Sequence, residues 1–220
     1  MQEFRTKIKE VFASIQGEGL DVGKKHIFVR FAKCNLKCKF CDTDFNFANE
    51  MTIDELYQVL SGYNCNTVSL TGGEPLLDAD FLFEFFNKYH KKLNKRIYLE
   101  TNGTLPSELK KIINFVDVIS MDVKIQSSTN QDNQFNINEE FIKNSLDKKL
   151  FIKVVFDSKI NDFEIDEVVK LAKKYDKEII LQPKMPMEAD LNLEEIFEKF
   201  YLKYNNIRLI PQTHKFLDLK

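Results

Sequence analysis

Short apolar runs alternate with amphipathic stretches along most of this 220-residue sequence. Several of the apolar runs are continuous, as expected for strands that are covered on both faces. The amphipathic stretches repeat apolar residues three and four positions apart, which favours helices. This alternation predicts an α/β fold with a parallel sheet and right-handed crossovers.

The predicted strands are His26–Phe31, Thr67–Leu70, Arg96–Leu99, Val116–Ser120, Phe151–Phe156, Glu178–Leu181 and Ile207–Ile210. The predicted helices are Ile53–Ser61, Phe81–Lys92, Leu105–Phe115, Phe141–Leu146, Glu164–Lys174 and Leu193–Phe200, the first with a capping box from Thr52 and Glu55.

Polar and glycine-rich segments follow several of the predicted strands. They are Thr71–Pro75, Glu100–Gly103, Ser120–Lys124 and Gln182–Pro183. Ligands of parallel α/β folds bind at the carboxyl ends of the strands. The shared placement of these segments therefore predicts one functional rim of the sheet.

The composition is that of an ordinary water-soluble domain. Apolar residues make up 43% of the chain, charged residues 30%, and the formal net charge is −2. A balance this close to neutral disfavours a protein that grips nucleic acid. The N-terminus shows no signal peptide, and no apolar run approaches the roughly 20 residues of a membrane helix. We expect one cytoplasmic domain over residues 1–220, without a membrane or nucleic-acid partner.

Three of the four cysteines crowd into one short segment, Cys34, Cys38 and Cys41. Their C-x3-C-x2-C spacing lets a curled loop offer three thiolates to one iron–sulfur cubane. The fourth iron then has no local protein ligand and is open to a small molecule. The alternative is a zinc site completed by His26 or Cys65, which would make the chain a zinc-stabilised, non-catalytic binding module. Structural zinc usually shows a second pair of ligands, and that pair is missing here. We interpret Cys65 as an ordinary buried thiol.

The cysteine spacing, with Phe40 before the last cysteine and Thr71-Gly-Gly-Glu-Pro75 after a strand, resembles the radical S-adenosylmethionine superfamily. The resemblance implies a partial (β/α)6 barrel of parallel strands, with reduced helices in places. It also implies a [4Fe–4S] cluster whose open iron is chelated by S-adenosylmethionine, the source of a 5′-deoxyadenosyl radical. The residues that it assigns to the S-adenosylmethionine pocket are Gly73, Glu74, Glu100, Ser120, Asp122, Lys124 and Gln182. Asp122 and Lys124 could equally form a local ion pair.

Further motifs narrow the resemblance to the 7-carboxy-7-deazaguanine synthases, lyases of queuosine and related deazapurine biosynthesis. They are Ile15–Gly19, Phe28–Arg30, Asp42-Thr43 and Pro211–Lys215. Members of this family rearrange 6-carboxy-5,6,7,8-tetrahydropterin to 7-carboxy-7-deazaguanine and release ammonia. A glycyl-radical activating enzyme, which acts on a protein, has the same cysteine spacing and is the alternative within the superfamily.

The narrower resemblance also implies substrate contacts and partners. Arg30 would bind the substrate carboxylate, for which a planar guanidinium is suited, or form a structural salt bridge. Thr43 would be a ligand of Mg²⁺, or simply a turn residue. An electron donor such as flavodoxin and a homodimer are implied as partners, and the role of the polar segment 126–138 stays open. The remaining substrate contacts are Ile15, Gln16, Gly17, Glu18, Thr71, His214 and Lys220.

Overall fold

A single nine-stranded sheet organises the chain. The computed structural model describes residues 4–39, 41 and 48–220. Seven strands are parallel, and two N-terminal strands pair antiparallel beside them. The strands are β1 (Arg5–Ile15), β2 (Lys25–Phe31), β3 (Asn49–Thr52), β4 (Thr67–Gly72), β5 (Arg96–Thr101), β6 (Val118–Asp122), β7 (Lys149–Phe156), β8 (Ile179–Pro183) and β9 (Ile207–Leu209). Their spatial order is β3-β1-β2-β4-β5-β6-β7-β8-β9, so that β3 and β9 are the two edges and the sheet is open.

Helices connect the successive parallel strands and cover one face of the sheet, except for a last short helix that follows β9. They are α1 (Ile53–Ser61), α2 (Ala79–Leu93), α3 (Pro106–Ile112), α4 (Gln126–Thr129), α5 (Phe135–Lys143), α6 (Asp162–Tyr175), α7 (Leu193–Tyr201) and α8 (Thr213–Phe216). Six strand–helix units run from β2 to α7, which confirms the partial (β/α)6 barrel. None of the helices among the described residues is long and apolar enough to cross a membrane.

All seven predicted strands form, with ends that differ by up to two residues. Five of the predicted helices form, and the capping box of Thr52 and Glu55 is present. The sixth, Phe141–Leu146, is displaced, because α5 begins at Phe135 and ends at Lys143. Two strands, β1 and β3, were not predicted. β1 carries four charged residues and is only partly buried, so that it lacks the apolar run that marks a covered strand.

Side chains alternate between the two faces of each parallel strand, as the pleat requires. The outer face is apolar and packs against the helices; on β7, for example, it presents Ile152, Val154 and Phe156 to the main core. The inner face is apolar at the amino end, where Tyr98, Val118, Phe151 and Ile180 form a second, smaller cluster. Two residues further along the same strands, the inner face becomes polar. These inner polar residues are Glu100, Ser120, Lys153 and Gln182.

Candidate active site

One cavity at the carboxyl ends of the strands collects almost all the residues that the sequence singled out. Its lining comes from β1, β2 and every parallel strand as far as β8, together with the cysteine loop and the C-terminal segment. The predicted residues that line it are Ile15, Gln16, Gly17, Glu18, Arg30, Cys34, Cys38, Cys41, Thr71, Gly73, Glu100, Ser120, Asp122, Lys124, Gln182, His214 and Lys220. Thr43, the predicted Mg²⁺ ligand, lies outside the described residues, as does Phe40.

The loop that carries the cysteines is held against the ends of β4 and β5. The Glu74 amide donates to the carbonyl of Lys33 (2.7 Å), and the Gly73 amide donates to that of Phe31 (3.0 Å). Further along, the Asn102 side chain donates to Asn35 (2.9 Å). These bonds fix the first half of the loop before Cys38 is reached. Gly73 must be glycine here, because a Cβ on it would lie 1.9 Å from the Lys33 carbonyl oxygen.

The polar segment 126–138, whose role the sequence left open, braces the other half of this loop. It contains the short helix α4 and the start of α5. The Lys39 amide donates to the carbonyl of Thr129 (2.9 Å), and the Gln131 side chain donates to that of Lys37 (3.2 Å). The segment is therefore a support for the cysteine loop.

The cysteine thiols are free and face the cavity together. Burial raises the pKa of Cys34 and of Cys38 and so favours their neutral thiols. A bound iron–sulfur cluster would deprotonate them, because thiolates are the ligands of such clusters. The three sulfurs do not lie close enough together to form a metal-binding group by themselves. Residues 4–39, 41 and 48–220 contain no group of three or more His, Cys, Asp and Glu side chains placed to hold a metal ion. The chemistry of these donors, three soft sulfurs on one loop that lines the cavity, is that of the three-thiolate cradle of a cubane with an open iron.

The two residues that could have completed a zinc site lie elsewhere. Cys65 is buried and donates to the carbonyl of Lys25 (3.1 Å), as expected for an ordinary thiol. His26 is fully buried, and its Nδ1 lies 2.7 Å from the Ser69 hydroxyl oxygen. Neither residue lines the cavity that the three other cysteines share. This arrangement gives no support to the zinc alternative.

Glu74 is the one described member of the predicted set that does not line the cavity. Its carboxylate is completely buried and accepts hydrogen bonds from the Asn102 amide (2.8 Å), the Thr101 hydroxyl (2.9 Å) and the Leu76 amide (3.1 Å). Burial raises the pKa of Glu74 to about 7, although these donors oppose the rise. The side chain ties the end of β4 to the end of β5. Within this segment, therefore, Thr71, Gly72 and Gly73 face the cavity, whereas Glu74 does not.

Glu100 joins residues from three segments. Its two carboxylate oxygens accept from the Gln16 side-chain amide (2.8 Å) and from the Thr71 hydroxyl (2.8 Å). Gln16 in turn accepts from the Glu18 amide (3.0 Å), so both ends of its carboxamide are engaged within the protein. Burial raises the pKa of Glu100. The carboxamide of Gln16 is thus placed to orient neighbours, whereas Glu18 and Thr71 reach the cavity beside it.

A buried lysine that no sequence motif indicates lies in the middle of this polar face. Lys153 Nζ lies 2.5 Å from a carboxylate oxygen of Glu18 and 3.2 Å from one of Asp122. The other oxygen of Glu18 accepts from the Gln212 side chain (2.7 Å). Asp122 also pairs with Lys124 (2.8 Å), so the local ion pair that the sequence allowed is formed while both residues line the cavity. The signal for Lys153 was its position within an apolar strand, where an unpaired charge is costly.

Arg30 and the C-terminal residue Lys220 meet at one carboxylate. Arg30 Nε lies 3.2 Å from Glu10, and Lys220 Nζ pairs with the same side chain. Both cations also lie over the ring of Phe12, at 5.6 Å and 4.6 Å from its centroid. The structural salt bridge considered for Arg30 is therefore present, and the residue faces the cavity as well.

The short helix α8 places His214 beside the first turn of the chain. The Thr213 amide donates to the carbonyl of Gly17 (3.0 Å), and its hydroxyl does the same (3.0 Å). Gly17 packs so closely that a Cβ on it would lie 2.2 Å from Nδ1 of His214. Positions 17 and 214 are almost two hundred residues apart, and only the tertiary fold brings them together.

An open, mostly parallel β/α sheet with a three-cysteine loop at its carboxyl rim defines the class of this protein. The model of the radical S-adenosylmethionine superfamily matches residues 28–200, and the chain belongs to that superfamily. Within it, a 7-carboxy-7-deazaguanine synthase of Geobacter sulfurreducens is 32% identical over 247 residues, covering 96% of each chain. The homologue from Archaeoglobus fulgidus is 32% identical and covers 98% of this chain and 100% of its own. The chain is a member of the 7-carboxy-7-deazaguanine synthase family.

A solved structure supports the same fold. The crystal structure of QueE from Escherichia coli superimposes with a TM-score of 0.64, over 96% of this chain and 95% of that one. The two sequences are 20% identical, so this similarity supports the fold alone. It agrees with the open, partial barrel described above.

Proposed function

We propose that this chain is a radical S-adenosylmethionine lyase that converts 6-carboxy-5,6,7,8-tetrahydropterin to 7-carboxy-7-deazaguanine with loss of ammonia. Its family membership supports this activity. The observation that carries the assignment to a site is the single cavity in which the cysteine loop, the Gly73 segment and a set of ionised side chains face one another. Radical chemistry requires cofactor and substrate to share one enclosed space.

The cofactor side of the proposed site comprises the cysteine loop and the strand ends next to it. Cys34, Cys38 and Cys41 would hold a [4Fe–4S] cluster, and the backbone around Gly73 would receive the methionyl group of S-adenosylmethionine. When bound, this pair supplies the radical that removes a hydrogen atom from C6 of the pterin. The other residues that we assign to the S-adenosylmethionine side are Glu100, Ser120, Asp122, Lys124 and Gln182.

Gln182 fits a ligand-facing role because of its surroundings. It is fully buried, and neither atom of its amide makes a hydrogen bond of good geometry within the described part of the chain. A buried amide normally has partners, since leaving it unsatisfied is unfavourable. The side chain lies close enough to Glu18 to contribute to lowering the pKa of that carboxyl. A bound nucleoside or pterin would supply the missing partners.

The substrate side is formed by β1, β2 and the C-terminal segment. Glu18, backbone groups of Ile15 and Gly17, and Thr71 would meet the donor and acceptor edge of the pterin. Arg30 would bind the carboxylate in a bidentate manner, which its planar fork allows. His214 and Lys220 would close the pocket. Mg²⁺, held in part by Thr43 and in part by the substrate carboxylate, belongs to the same proposal, as magnesium takes much of its shell from substrate and water.

Two kinds of partner follow from this function. A one-electron donor such as flavodoxin must reduce the cluster, and Cys41, one of the proposed ligands, is exposed. We include a homodimer in the proposal only because the family resemblance implies it.

The direct test is anaerobic reconstitution with iron and sulfide, followed by incubation with the carboxylated tetrahydropterin, dithionite, Mg²⁺ and S-adenosylmethionine. We expect a brown protein with a cubane spectrum, and 7-carboxy-7-deazaguanine with one equivalent of ammonia. Cys38→Ala is the matched control and should abolish both. A cluster without deazapurine product would contradict the proposal and favour the glycyl-radical activating alternative, whereas zinc in place of iron would favour the non-catalytic module.

A further inference from the structure

Lys153 is a buried cation with a defined pair of anionic partners. Its side chain is 8% exposed, and it projects from the apolar strand β7 towards the cavity. Its amino group lies 2.5 Å from Glu18 and 3.2 Å from Asp122. A buried ammonium group persists only when it is paired in this way. Asp122 is its direct neighbour across the parallel pair β6–β7, whereas Glu18 comes from a turn 135 residues away.

The two carboxylates do not depend equally on Lys153. Asp122 has a second cation, Lys124, at 2.8 Å. The remaining oxygen of Glu18 is bonded to the neutral side chain of Gln212 (2.7 Å). Removing the charge of Lys153 would therefore leave Asp122 with a cationic partner and Glu18 with an amide. The effect should fall on Glu18.

We propose that Lys153 is a positioning residue for the pterin: it holds the carboxylate of Glu18 in place as an anion, so that the amino and ring N–H groups of the pterin can donate to it. The inference rests on the proposed function, because Glu18 is assigned to the substrate only there. Lys153 acts through Glu18 and needs no contact of its own with the substrate. Each oxygen of Glu18 keeps a second lone pair for the ligand.

The electrostatics of Glu18 agree with this role. Burial acts to raise the pKa of Glu18, but the charge of Lys153 and the bonds from Gln212 and Lys153 overcome it and lower the pKa to about 2. Without Lys153, burial would lose its strongest opponent, so the pKa of Glu18 would rise and the carboxyl would take up a proton more readily. Besides Lys153, the charged and titratable groups that line the same cavity as Glu18 are Arg30 on β2, the three cysteines, Glu100 on β5, Asp122 and Lys124 at the end of β6, Lys184 after β8, and His214, Lys215 and Lys220 in the C-terminal segment. Of these, Glu100 and Asp122 interact electrostatically with Glu18.

The test measures binding of the carboxylated tetrahydropterin and of S-adenosylmethionine to the reconstituted holoenzyme, by calorimetry without reductant, at pH 6, 7 and 8. For Lys153→Met we expect the pterin Kd to rise about tenfold at pH 7. It should rise by up to about tenfold more for each pH unit below the new pKa of Glu18. The S-adenosylmethionine Kd should change by no more than about threefold, since Asp122 keeps Lys124. Lys153→Arg should restore the dependence on pH that the wild type shows.

Lys149→Met is the matched control, because it removes a lysine from the exposed start of the same strand and should leave both Kd values unchanged. A Lys153→Met protein that binds the pterin like the wild type at every pH would overturn the inference, as would an equal loss for both ligands. If Lys153→Met does not fold, the double variant Lys153→Met/Glu18→Gln removes both charges. It should bind the pterin weakly and with the pH dependence of the wild type, and a pH dependence beyond that of the wild type would also overturn the inference. A wild-type holoenzyme that does not bind the pterin contradicts the proposed function itself, which is a separate result.

Discussion

Gln16 donates a hydrogen bond to Glu100 across 2.8 Å, although 84 residues separate them in the chain. The second oxygen of Glu100 accepts from Thr71. A residue assigned to the cofactor side thus holds two residues assigned to the substrate side. Because the Gln16 carboxamide also receives the Glu18 amide, the position of Glu18 depends on Glu100 as well. The two halves of the site share one hydrogen-bond network.

Replacing Glu100 by glutamine should test this network. The new amide group of Glu100→Gln would face a donor from either Gln16 or Thr71, and a buried polar group without its partner costs about 1–3 kcal/mol. We expect the pterin Kd to rise about tenfold, since each 1.4 kcal/mol corresponds to a factor of about ten. Calorimetry on the holoenzyme measures it. Glu198→Gln, on the exposed side of α7, is the control and should bind as the wild type does; an unchanged Kd for Glu100→Gln would show that the network does not orient the substrate side.

Gly73→Ala should separate cluster assembly from folding. The added Cβ would lie 1.9 Å from the Lys33 carbonyl oxygen and 3.1 Å from the Cys34 amide nitrogen. Backbone cannot yield as a side chain can, so the start of the cysteine loop must move. We expect reconstitution to incorporate less than about half the wild-type iron, measured by iron content and visible absorbance, with an unchanged far-ultraviolet circular dichroism spectrum.

The control for this variant is Gly62→Ala. At that position the nearest atom to a Cβ is 3.4 Å away, and the backbone lies in the right-handed helical region. It should incorporate iron normally and be as stable as the wild type or slightly more so, because alanine loses less entropy than glycine on folding. Full iron loading of Gly73→Ala would mean that the loop is not fixed by this contact.

The sequence predicted the parallel sheet well because its strands carry their own signal. Each is an apolar run that must be covered on both faces, and most are followed or preceded by helices with clear apolar stripes. β1 was missed for the opposite reason. Arg5, Lys7, Lys9 and Glu10 interrupt its apolar residues, and only tertiary pairing with β2 and β3 makes it a strand. The ends of α5 were wrong because the asparagine-rich stretch before Phe141 gives no apolar stripe.

Site residues that belong to a local sequence motif could be predicted. Site residues whose role comes from an ion pair with a distant segment could not. The cysteines, Thr71 and Gly73 lie in local patterns that follow predicted strands. Lys153 lies in no pattern, and its importance comes from Glu18 and Asp122, which other segments supply. A single lysine within an apolar strand was the available signal. Glu74 is buried against hydrogen-bond donors from the end of β5, so the sequence around Glu74 alone does not predict its burial.

A buried histidine at the amino end of the sheet should make stability depend on pH. His26 is fully buried; its Nδ1 lies 2.7 Å from Ser69 and its Nε2 lies 3.3 Å from Asp21. Burial lowers the pKa of His26 to about 4, although Asp21 opposes the shift. In the unfolded chain the pKa is about 6.5. The unfolded state therefore binds more protons between these values, so the stability that His26 allows at neutral pH is lost as the pH falls from about 6.5 to about 4.

The comparison of wild type with His26→Gln isolates this effect. The free energy of unfolding of the wild type, relative to the variant, should fall by up to about 1.4 kcal/mol per pH unit across that window. Urea denaturation of the apoprotein at pH 4.5, 5.5, 6.5 and 7.5 measures it. The comparison with His26→Gln is needed because Glu74 also titrates in this range. With its pKa raised to about 7, Glu74 makes the folded protein more stable as the pH falls, which opposes the effect of His26. A difference that stays constant with pH would show that His26 titrates normally in the folded protein.

The contact between Gly17 and His214 should make pterin binding sensitive to a single methyl group. A Cβ at position 17 would lie 2.2 Å from Nδ1 of His214 and 2.7 Å from its Cβ. The Gly17→Ala variant must therefore push α8 away from the turn that carries Glu18, breaking the Thr213–Gly17 bonds and loosening Gln212 from Glu18. We expect the pterin Kd to rise by about tenfold or more, with S-adenosylmethionine binding retained, as measured by calorimetry on each ligand.

A double-mutant cycle with His214→Ala shows whether the clash is the cause. His214→Ala removes the ring but keeps the Cβ, so it should reduce the additional loss caused by Gly17→Ala without abolishing it. The interaction energy between the two changes should be non-zero, as is usual for residues in contact. If the losses simply add, the two positions act independently and α8 does not reach the substrate through Gly17. The C-terminal segment would then stabilise the turn without shaping the pocket, and His214 would lose its place on the substrate side.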